Sequence, residues 1–418
     1  MFIVDKERYD KSMLAQRHEE LAKLPHFSAP ETKLYAICFT HPFDVLSTVL
    51  YLRERGGSVL LLHGETPFEA ALSLANRAGC NVLLHTNWRE AVVVSKPQYV
   101  GEPSLCQFSS GTTGEPKLIA RPWREVEREI ESYNLRLQAT PDEQPIILVP
   151  VSHSFGLVAG TLTALARGVE PIIVADKNPK FALHLLKAAG PSILYAVPFL
   201  LHLIQTLGRK ELRLHKLISS GAPMSEALLH RLQACTEQVW QQYGCTEAGC
   251  ISLGSDPSSP YDVGQVLPHL QIALHETALA EGSAAKEIVV STGDKLIHTQ
   301  DLGMLNPQGR IQVFGRMDDL INVSGLKVLP SEVEAVIERL SGVSEVVVCK
   351  ARHPVWGESI RALVVASEGV GKEEIKAWCL LHLPPFKVPS IIDLVTSIPR
   401  LPSGKISRKF IQEQEISS

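Results

Sequence analysis

The chain has 418 residues, of which 45% are hydrophobic and 21% charged, and its Lys and Arg are nearly balanced by Asp and Glu to leave a net charge of −4. That length predicts two or three domains with substantial cores. The charge balance excludes the clustered basic excess of a nucleic-acid footprint; the basic cluster is confined to Lys405, Arg408 and Lys409. Apolar stretches such as Val45–Leu52 are far too short to span a bilayer, so no membrane span is expected.

The opening residues, MFIVDKERYDK, have no apolar leader core. The eight cysteines (Cys38, Cys80, Cys106, Cys235, Cys245, Cys250, Cys349 and Cys379) show no CxxC spacing, which speaks against a zinc site. Both features predict a cytoplasmic protein with reduced thiols.

From about Leu34, short β-branched runs alternate with helix-length segments. Strands are expected at Leu34–Thr40, Ser58–Leu62, Asn81–Leu84, Ile146–Val151, Pro171–Val174, Ser192–Ala196, Leu217–Ser219 and Val239–Tyr243. Helices are expected between them, for example Pro42–Arg53, Pro67–Ala78, Phe181–Ala189 and Ser225–Ala234. The alternation predicts an α/β architecture of helix-covered, mostly parallel sheets. Beyond Phe314–Asp319 the pattern changes to a compact α+β unit. Its helix begins at Pro330, with Val333, Val336, Ile337 and Leu340 on one face. Strands at Glu345–Lys350, Ala362–Ala366 and Ile391–Val395 and a helix at Glu373–Leu383 complete it. The predicted domains are 1–317 and 318–418.

Four segments carry chemistry. Ser109-Ser110-Gly111-Thr112-Thr113-Gly114-Glu115-Pro116-Lys117 combines tight glycine turns, hydroxyls and one cation, which suits a polyphosphate; it lacks Walker A spacing, and a hydroxyl-rich surface turn is the plain alternative. Gln242-Tyr243-Gly244-Cys245-Thr246-Glu247-Ala248 ends a strand in a turn bearing a hydroxyl and a carboxylate. Glu247 there suits Mg²⁺, or the segment is an ordinary strand-to-loop turn. Asp301-Leu302-Gly303, with Phe314 to Asp319 behind it, offers a carboxylate for ribose hydroxyls and Arg316 as a clamp, or a turn Asp and a surface ion pair. Pro402-Ser403-Gly404-Lys405 is a tight turn presenting a lysine, or a solvated tail.

Taken in order, these segments resemble the signature motifs of the adenylate-forming superfamily: acyl-CoA synthetases, stand-alone aryl-acid-activating enzymes, peptide-synthetase adenylation domains and luciferases. The resemblance runs from about Ile37 to Lys409 and includes Pro150–Gly156, Ser219–Pro223, Val263–Pro268 and Asn322–Pro330. Leu118, Gln300 and Asn322 depart from the usual Gly, Gly and Lys. The family's fold is a large α/β domain followed by a small mobile C-terminal α+β domain. Its cofactors are ATP and Mg²⁺.

By this resemblance Ser109, Ser110, Gly111, Thr112, Thr113, Gly114 and Lys117 would hold the β,γ-phosphates. Thr246 would contact the α-phosphate and Glu247 would bind Mg²⁺. Gly221, Ala222, Pro223 and Tyr243 would flank the adenine, with Gly244 beside the nucleotide. Asp301 and Arg316 would hold the ribose, and Lys405 would bridge the substrate carboxylate and the α-phosphate. Asp318 would be the hinge of domain rotation, and Gly325 would line the pantetheine tunnel. The acid pocket would be lined by His153, Ser154, Phe155, Val197, Ser219, Ser220, Gly244 and Cys250.

No acidic residue stands among those pocket positions to pair with an α-amine, which disfavours an amino acid. The chain most resembles the short aryl-acid-activating enzymes of petrobactin-type siderophore pathways. That likeness implies 3,4-dihydroxybenzoate as substrate and the phosphopantetheine of an aryl carrier protein as acceptor. Ser152-His153-Ser154-Phe155-Gly156 also resembles fatty-acid-activating enzymes that use coenzyme A or an acyl carrier protein. A nucleotide- or acyl-binding module without turnover is a third reading, disfavoured by intact Lys117, Glu247, Asp301 and Lys405.

Overall fold

The computed structural model describes residues 1–94, 101–109, 117–176, 178–208, 211–276, 285–353, 357–400 and 406–416. The chain divides into two compact units. The first comprises Met1–Ser220, Leu232–Asp256 and Leu267–Leu270; the second comprises Gly221–Arg231, Pro257–Val266 and Gln271–Ser418. Met317 and Asp318 therefore fall inside the second unit. The physical reason is the antiparallel meander before them, Gln271–His275, Lys286–Ser291, Leu296–Leu305 and Arg310–Arg316, which clusters with the C-terminal part.

The first unit holds two sheets. One is six-stranded, in the order Val92–Val93, Val82–His85, Leu34–Cys38, Ser58–Leu61, Ser104–Ser109, Lys117–Pro122. Its centre is parallel and its two edge strands are antiparallel. Leu34–Cys38 is buried at every position, the mark of a parallel strand covered on both faces. In the other, Thr236–Cys245, Leu214–Ser219, Ser192–Ala196, Gln144–Ile147, Ile172–Ile173 and Phe2–Val4 lie side by side and parallel. Gly249–Ser255 and Glu7–Tyr9 add antiparallel neighbours at the two ends of this run.

Helices pack on both sheets. Pro42–Glu54 starts with proline at its first turn and is capped by the His41 ring, which accepts from the Phe43 N–H at 3.2 Å. Trp123–Leu137 buries Trp123, Val126, Ile130, Tyr133 and Leu137 at helical spacing, with Glu129 among them. A π-helix runs over Phe155–Leu162. Such wide turns are frequent at functional sites.

Two expectations shift. The strand expected at Ile146–Val151 is Gln144–Ile147, and the chain leaves the sheet before Pro150, which has no N–H for a ladder. Structure also precedes Leu34. Phe2–Val4 is too short to show in a hydrophobic pattern, yet it pairs with Ile172–Ile173.

In the second unit, Val343–His353 and Gly357–Ala366 form a long antiparallel pair with Ile391–Leu394 parallel beside it. Pro330–Ile337 and Lys372–His382 supply Val333, Ile337, Ile375 and Cys379 to the core with Val346, Val348 and Val364. Arg408 fastens the last helix, Arg408–Ile416. It donates to both Glu334 oxygens at 2.8 and 2.9 Å, to Asp319 at 2.9 Å and to the Val348 carbonyl at 2.8 Å. Burial opposes its charge, but Glu334 and Asp319 outweigh burial and raise its pKa.

Candidate active site

The first unit gathers three groups of the expected residues. Ser109 ends one strand, Lys117 begins the next, and the two are register partners across the neck of the 110–116 segment. Ser110, Gly111, Thr112, Thr113 and Gly114 lie outside the described residues, as does Lys405. Lys117 is exposed and has no ion-pair partner among the described residues.

Thr246, Glu247 and Ala248 form the three-residue loop of a hairpin between Thr236–Cys245 and Gly249–Ser255. Gly249 follows at φ +73°, the left-handed conformation that such loops require. Gly244 is needed for proximity: a Cβ there would stand 2.2 Å from the Gly249 carbonyl oxygen. Thr246 and Glu247 are half-exposed, and neither side chain has a hydrogen-bond or ion-pair partner among the described residues. An unpaired carboxylate at a loop tip fits Mg²⁺, which takes few protein oxygens and keeps several waters.

The third group stands at the carboxyl ends of the parallel strands, where open α/β sheets bind ligands. Ala196 pairs with Ser219 and Ser219 with Gln241, so Val197 and Ser220 issue from adjoining strand ends while Gln242 lies beside them on the longer Thr236–Cys245 strand. The Ser219 hydroxyl is buried with no partner among the described residues. Ser220 is nearly buried, Phe155 packs its ring 5.9 Å from that of Tyr195, and Cys250 sits in the core with its Sγ directed at the Ser252 carbonyl. His153 is exposed, 6.4 Å from the His63 ring. Ser154 donates its hydroxyl to Gln107 Oε1, and Gln107 Nε2 donates to the Ser152 carbonyl at 3.2 Å. The Ser154 proton is therefore committed, and toward a ligand its oxygen can only accept. Sequence reasoning did not single out Gln107 as a site residue; its place one strand-step before the phosphate segment was the available signal.

The second unit holds the remainder. Asp301 is 8% exposed and accepts from Arg316 Nη1 at 3.1 Å. Arg316 Nε donates to Asp318 at 3.0 Å, and Lys350 donates to the Asp318 carbonyl at 3.1 Å. Burial works against the Arg316 charge, but Asp301 and Asp318 more than offset it and raise its pKa. Gln300, where relatives of the resembled family carry glycine, takes φ +61°, and its amide is held by Glu287 at 3.0 Å. Gly221 takes φ +89°, with Ala222 half-buried and Pro223 exposed beyond it. Ser324 and Gly325 take φ +50° and +90°, as in a type I′ hairpin turn. Asn322 Oδ1 accepts the Gly325 N–H at 2.9 Å. No atom stands within 4 Å of a Cβ at Gly325, so in this unit its glycine is required by conformation alone. A cavity of about 240 Å³ lies beside that turn, lined by Val323, Leu326, Pro385 and Phe386 among others. Among the described residues no group of three or more His, Cys, Asp or Glu side chains could hold a metal ion. No described helix is long and apolar enough to cross a membrane.

These strands and motifs define a class. The chain belongs to the AMP-binding enzyme family: the family's model matches residues 39–291, and that of the AMP-binding enzyme C-terminal domain matches 332–405. Met317 and Asp318 fall between the two matched ranges. Among curated relatives, the 3,4-dihydroxybenzoate–[aryl-carrier protein] ligase of Bacillus anthracis is 44% identical over 419 residues, covering all of both chains. A fatty acid–[acyl-carrier-protein] ligase of Streptomyces coeruleorubidus is 28% identical, over 73% of this chain and 66% of its own. The fold is that of the ATP-bound MatB from Rhodopseudomonas palustris, with a TM-score of 0.86 at 19% identity, covering 99% of this chain and 95% of that one. It is also that of the o-succinylbenzoate coenzyme A synthetase MenE from Bacillus subtilis solved with ATP and magnesium ion, with a TM-score of 0.81 at 21% identity, covering 98% and 95%.

Proposed function

We propose that the chain is an ATP-dependent acid–thiol ligase that activates 3,4-dihydroxybenzoate and loads it on an aryl carrier protein. A carboxylate oxygen of the acid attacks the α-phosphorus of ATP, the bond to the β-phosphate oxygen breaks, and pyrophosphate leaves. The phosphopantetheine thiolate then attacks the acyl carbon of the aroyl-adenylate, and AMP leaves as the thioester forms. The observation that carries the choice of acid is the 44% identity to the Bacillus anthracis ligase across the whole of both chains.

Each assigned residue answers a physical demand. Attack by one anion on another needs cations and donors aimed at the charge that builds on the α-phosphate. Lys117 and the hydroxyls of 109–113 serve the β,γ-phosphates, Thr246 the α-phosphate, and Lys405 the carboxylate and α-phosphate together. Glu247 would hold Mg²⁺, which when bound would supply charge neutralisation for the departing pyrophosphate. Asp301 and Arg316 grip the ribose, while Gly221 to Pro223, Tyr243 and Gly244 border the base. Ser154, as an acceptor, and Ser219, as a hydroxyl without a partner among the described residues, suit the two phenolic groups of a catechol. Domain rotation about Asp318 brings the thiol step into play, with Gly325 on the pantetheine path. A siderophore-assembly role in the cytoplasm follows from this substrate and from the use of ATP.

The test is pyrophosphate exchange with 3,4- and 2,3-dihydroxybenzoate, benzoate, octanoate and palmitate, followed by thioester formation with holo aryl carrier protein against coenzyme A. Exchange strongest with 3,4-dihydroxybenzoate is expected. Exchange with only the fatty acids overturns the choice of acid, and exchange with none of the acids overturns the activity.

A further inference from the structure

Behind the Thr246–Glu247 loop lies an ion pair that the reaction as described does not use. Glu129, in the middle of the Trp123–Leu137 helix, is 1% exposed, and Arg121, on the Lys117–Pro122 strand, is 3% exposed. Arg121 Nη2 donates to Glu129 Oε2. The other oxygen, Oε1, accepts the backbone N–H of Cys250 at 2.9 Å. The hairpin comes so close that a Cβ at Gly249 would stand 2.3 Å from Glu129 Oε2 and 2.5 Å from both terminal Arg121 nitrogens.

Burying a carboxylate and a guanidinium costs several kcal/mol per ion, so a pair of this kind is weak evidence for stability in its own right. Its connectivity suggests another use. Arg121 lies four residues after Lys117 on one short strand. Cys250 lies three residues after Glu247 and forms the register partner of Gly244. One side chain thus joins the strand leaving the phosphate segment to the root of the loop bearing Thr246 and Glu247.

We infer that Glu129 is a positioning residue for adenylation: it fixes the Thr246–Glu247 loop relative to the strand that carries Lys117. The inference rests on the adenylation reading for its chemical consequence and on this geometry alone for the clasp. The carboxylate ties two elements that must meet one triphosphate, so a shift in either would misplace a donor, and misplacement by about 1 Å can cost 10²-fold in rate.

Two double variants isolate the bond. Arg121→Met with Glu129→Gln removes both charges and keeps an acceptor for the Cys250 N–H. Arg121→Met with Glu129→Leu removes the charges and the acceptor. Hydrogen–deuterium exchange of the segment 244–252 reads the clasp without reference to activity; exchange at Gly249 and Cys250 about fivefold faster in the leucine pair is expected from loss of one backbone bond. In pyrophosphate exchange the leucine pair should lose at least about tenfold in kcat and bind Mg·ATP more weakly, with KM for the acid unchanged. The glutamine pair, which keeps the Cys250 bond but loses the Arg121 link to the strand, should fall between wild type and the leucine pair in kcat.

Equal amide exchange in the two pairs overturns the clasp. Faster amide exchange with equal kcat and equal KM for Mg·ATP overturns the positioning role and leaves a structural one. If the wild-type chain exchanges pyrophosphate with no acid, the reaction reading fails, and amide exchange still decides the clasp. Should the leucine pair not fold, Gly249→Ala replaces it, since it drives a Cβ into the same two side chains while both charges remain.

Discussion

The Asp301 carboxylate and the Arg316 guanidinium meet at 3.1 Å, and the same guanidinium reaches Asp318 at 3.0 Å. The proposed ribose ligand and the proposed hinge residue therefore share one cation. Under the ribose assignment, Arg316→Leu raises KM for ATP by about tenfold or more, the worth of a charge-assisted hydrogen bond, and lowers kcat/KM for ATP accordingly. Initial-rate pyrophosphate exchange at varied ATP checks this, and an unchanged KM removes Arg316 from the site.

The two half-reactions separate the lysine from the hinge. Lys405→Ala lowers kcat for adenylation by roughly 10²–10³, because its charge is needed chiefly in the transition state, and it spares thioester formation from supplied aroyl-adenylate. Asp318→Pro does the reverse, with exchange retained and thioester formation blocked. Asp318→Ala is the control that removes the Arg316 contact without stiffening the backbone. Parallel loss of both half-reactions in Asp318→Pro would argue against the hinge.

Ser219 separates binding from folding. Its buried hydroxyl has no partner among the described residues, so Ser219→Ala costs little stability and can even raise Tm. It should raise KM for 3,4-dihydroxybenzoate more than KM for benzoate. Equal effects on both acids would show that the hydroxyl does not read the catechol.

Stability should also respond to pH through Glu338. Burial, reinforced by Glu334, Glu226 and Glu345, pushes its carboxyl up to about 7. The folded state then holds a proton that the unfolded state releases near its ordinary value, so this group's contribution falls as pH rises from about 4.5 to about 7. After solvent screening, the loss is about 1–2 kcal/mol. Glu338→Gln should abolish that part of the decline in urea-melting experiments between pH 5 and 8. The same slope in wild type and variant would rule this out.

How much of this the chain declares in advance depends on the length of each signal. Leu34–Cys38 and Ser192–Ala196 are buried at every position, and the apolar runs Leu34–Cys38 and Ile193–Ala196 announced parallel strands. Pro330 marked its helix because proline suits a first turn. The Phe2–Val4 strand did not show, since three residues carry no periodicity. The second unit's reach back to Gly221 did not show either, because it depends on which strands pack together. At the site, Asp301 and Glu247 stood out as carboxylates beside glycine turns. Glu129 did not: within a helix of many charges, nothing distinguishes a carboxylate that turns inward from those that face water. Gln300 read as a simple departure from glycine; the structure explains how it is tolerated, through the Glu287 bonds that hold its left-handed backbone.

The thiols carry one more consequence. Seven of the eight cysteines are buried, and burial raises Cys80 and Cys106 to about 12 and Cys349 and Cys379 to about 11. A mixed anhydride of an acid and AMP acylates whatever thiolate it can reach, so a protein that makes one is at risk from its own sulfurs. Here almost every bystander thiol is neutral and shielded from the acyl group. Cys245, next to Thr246 and partly exposed, is the exception, so a mild alkylating probe should label the chain there alone.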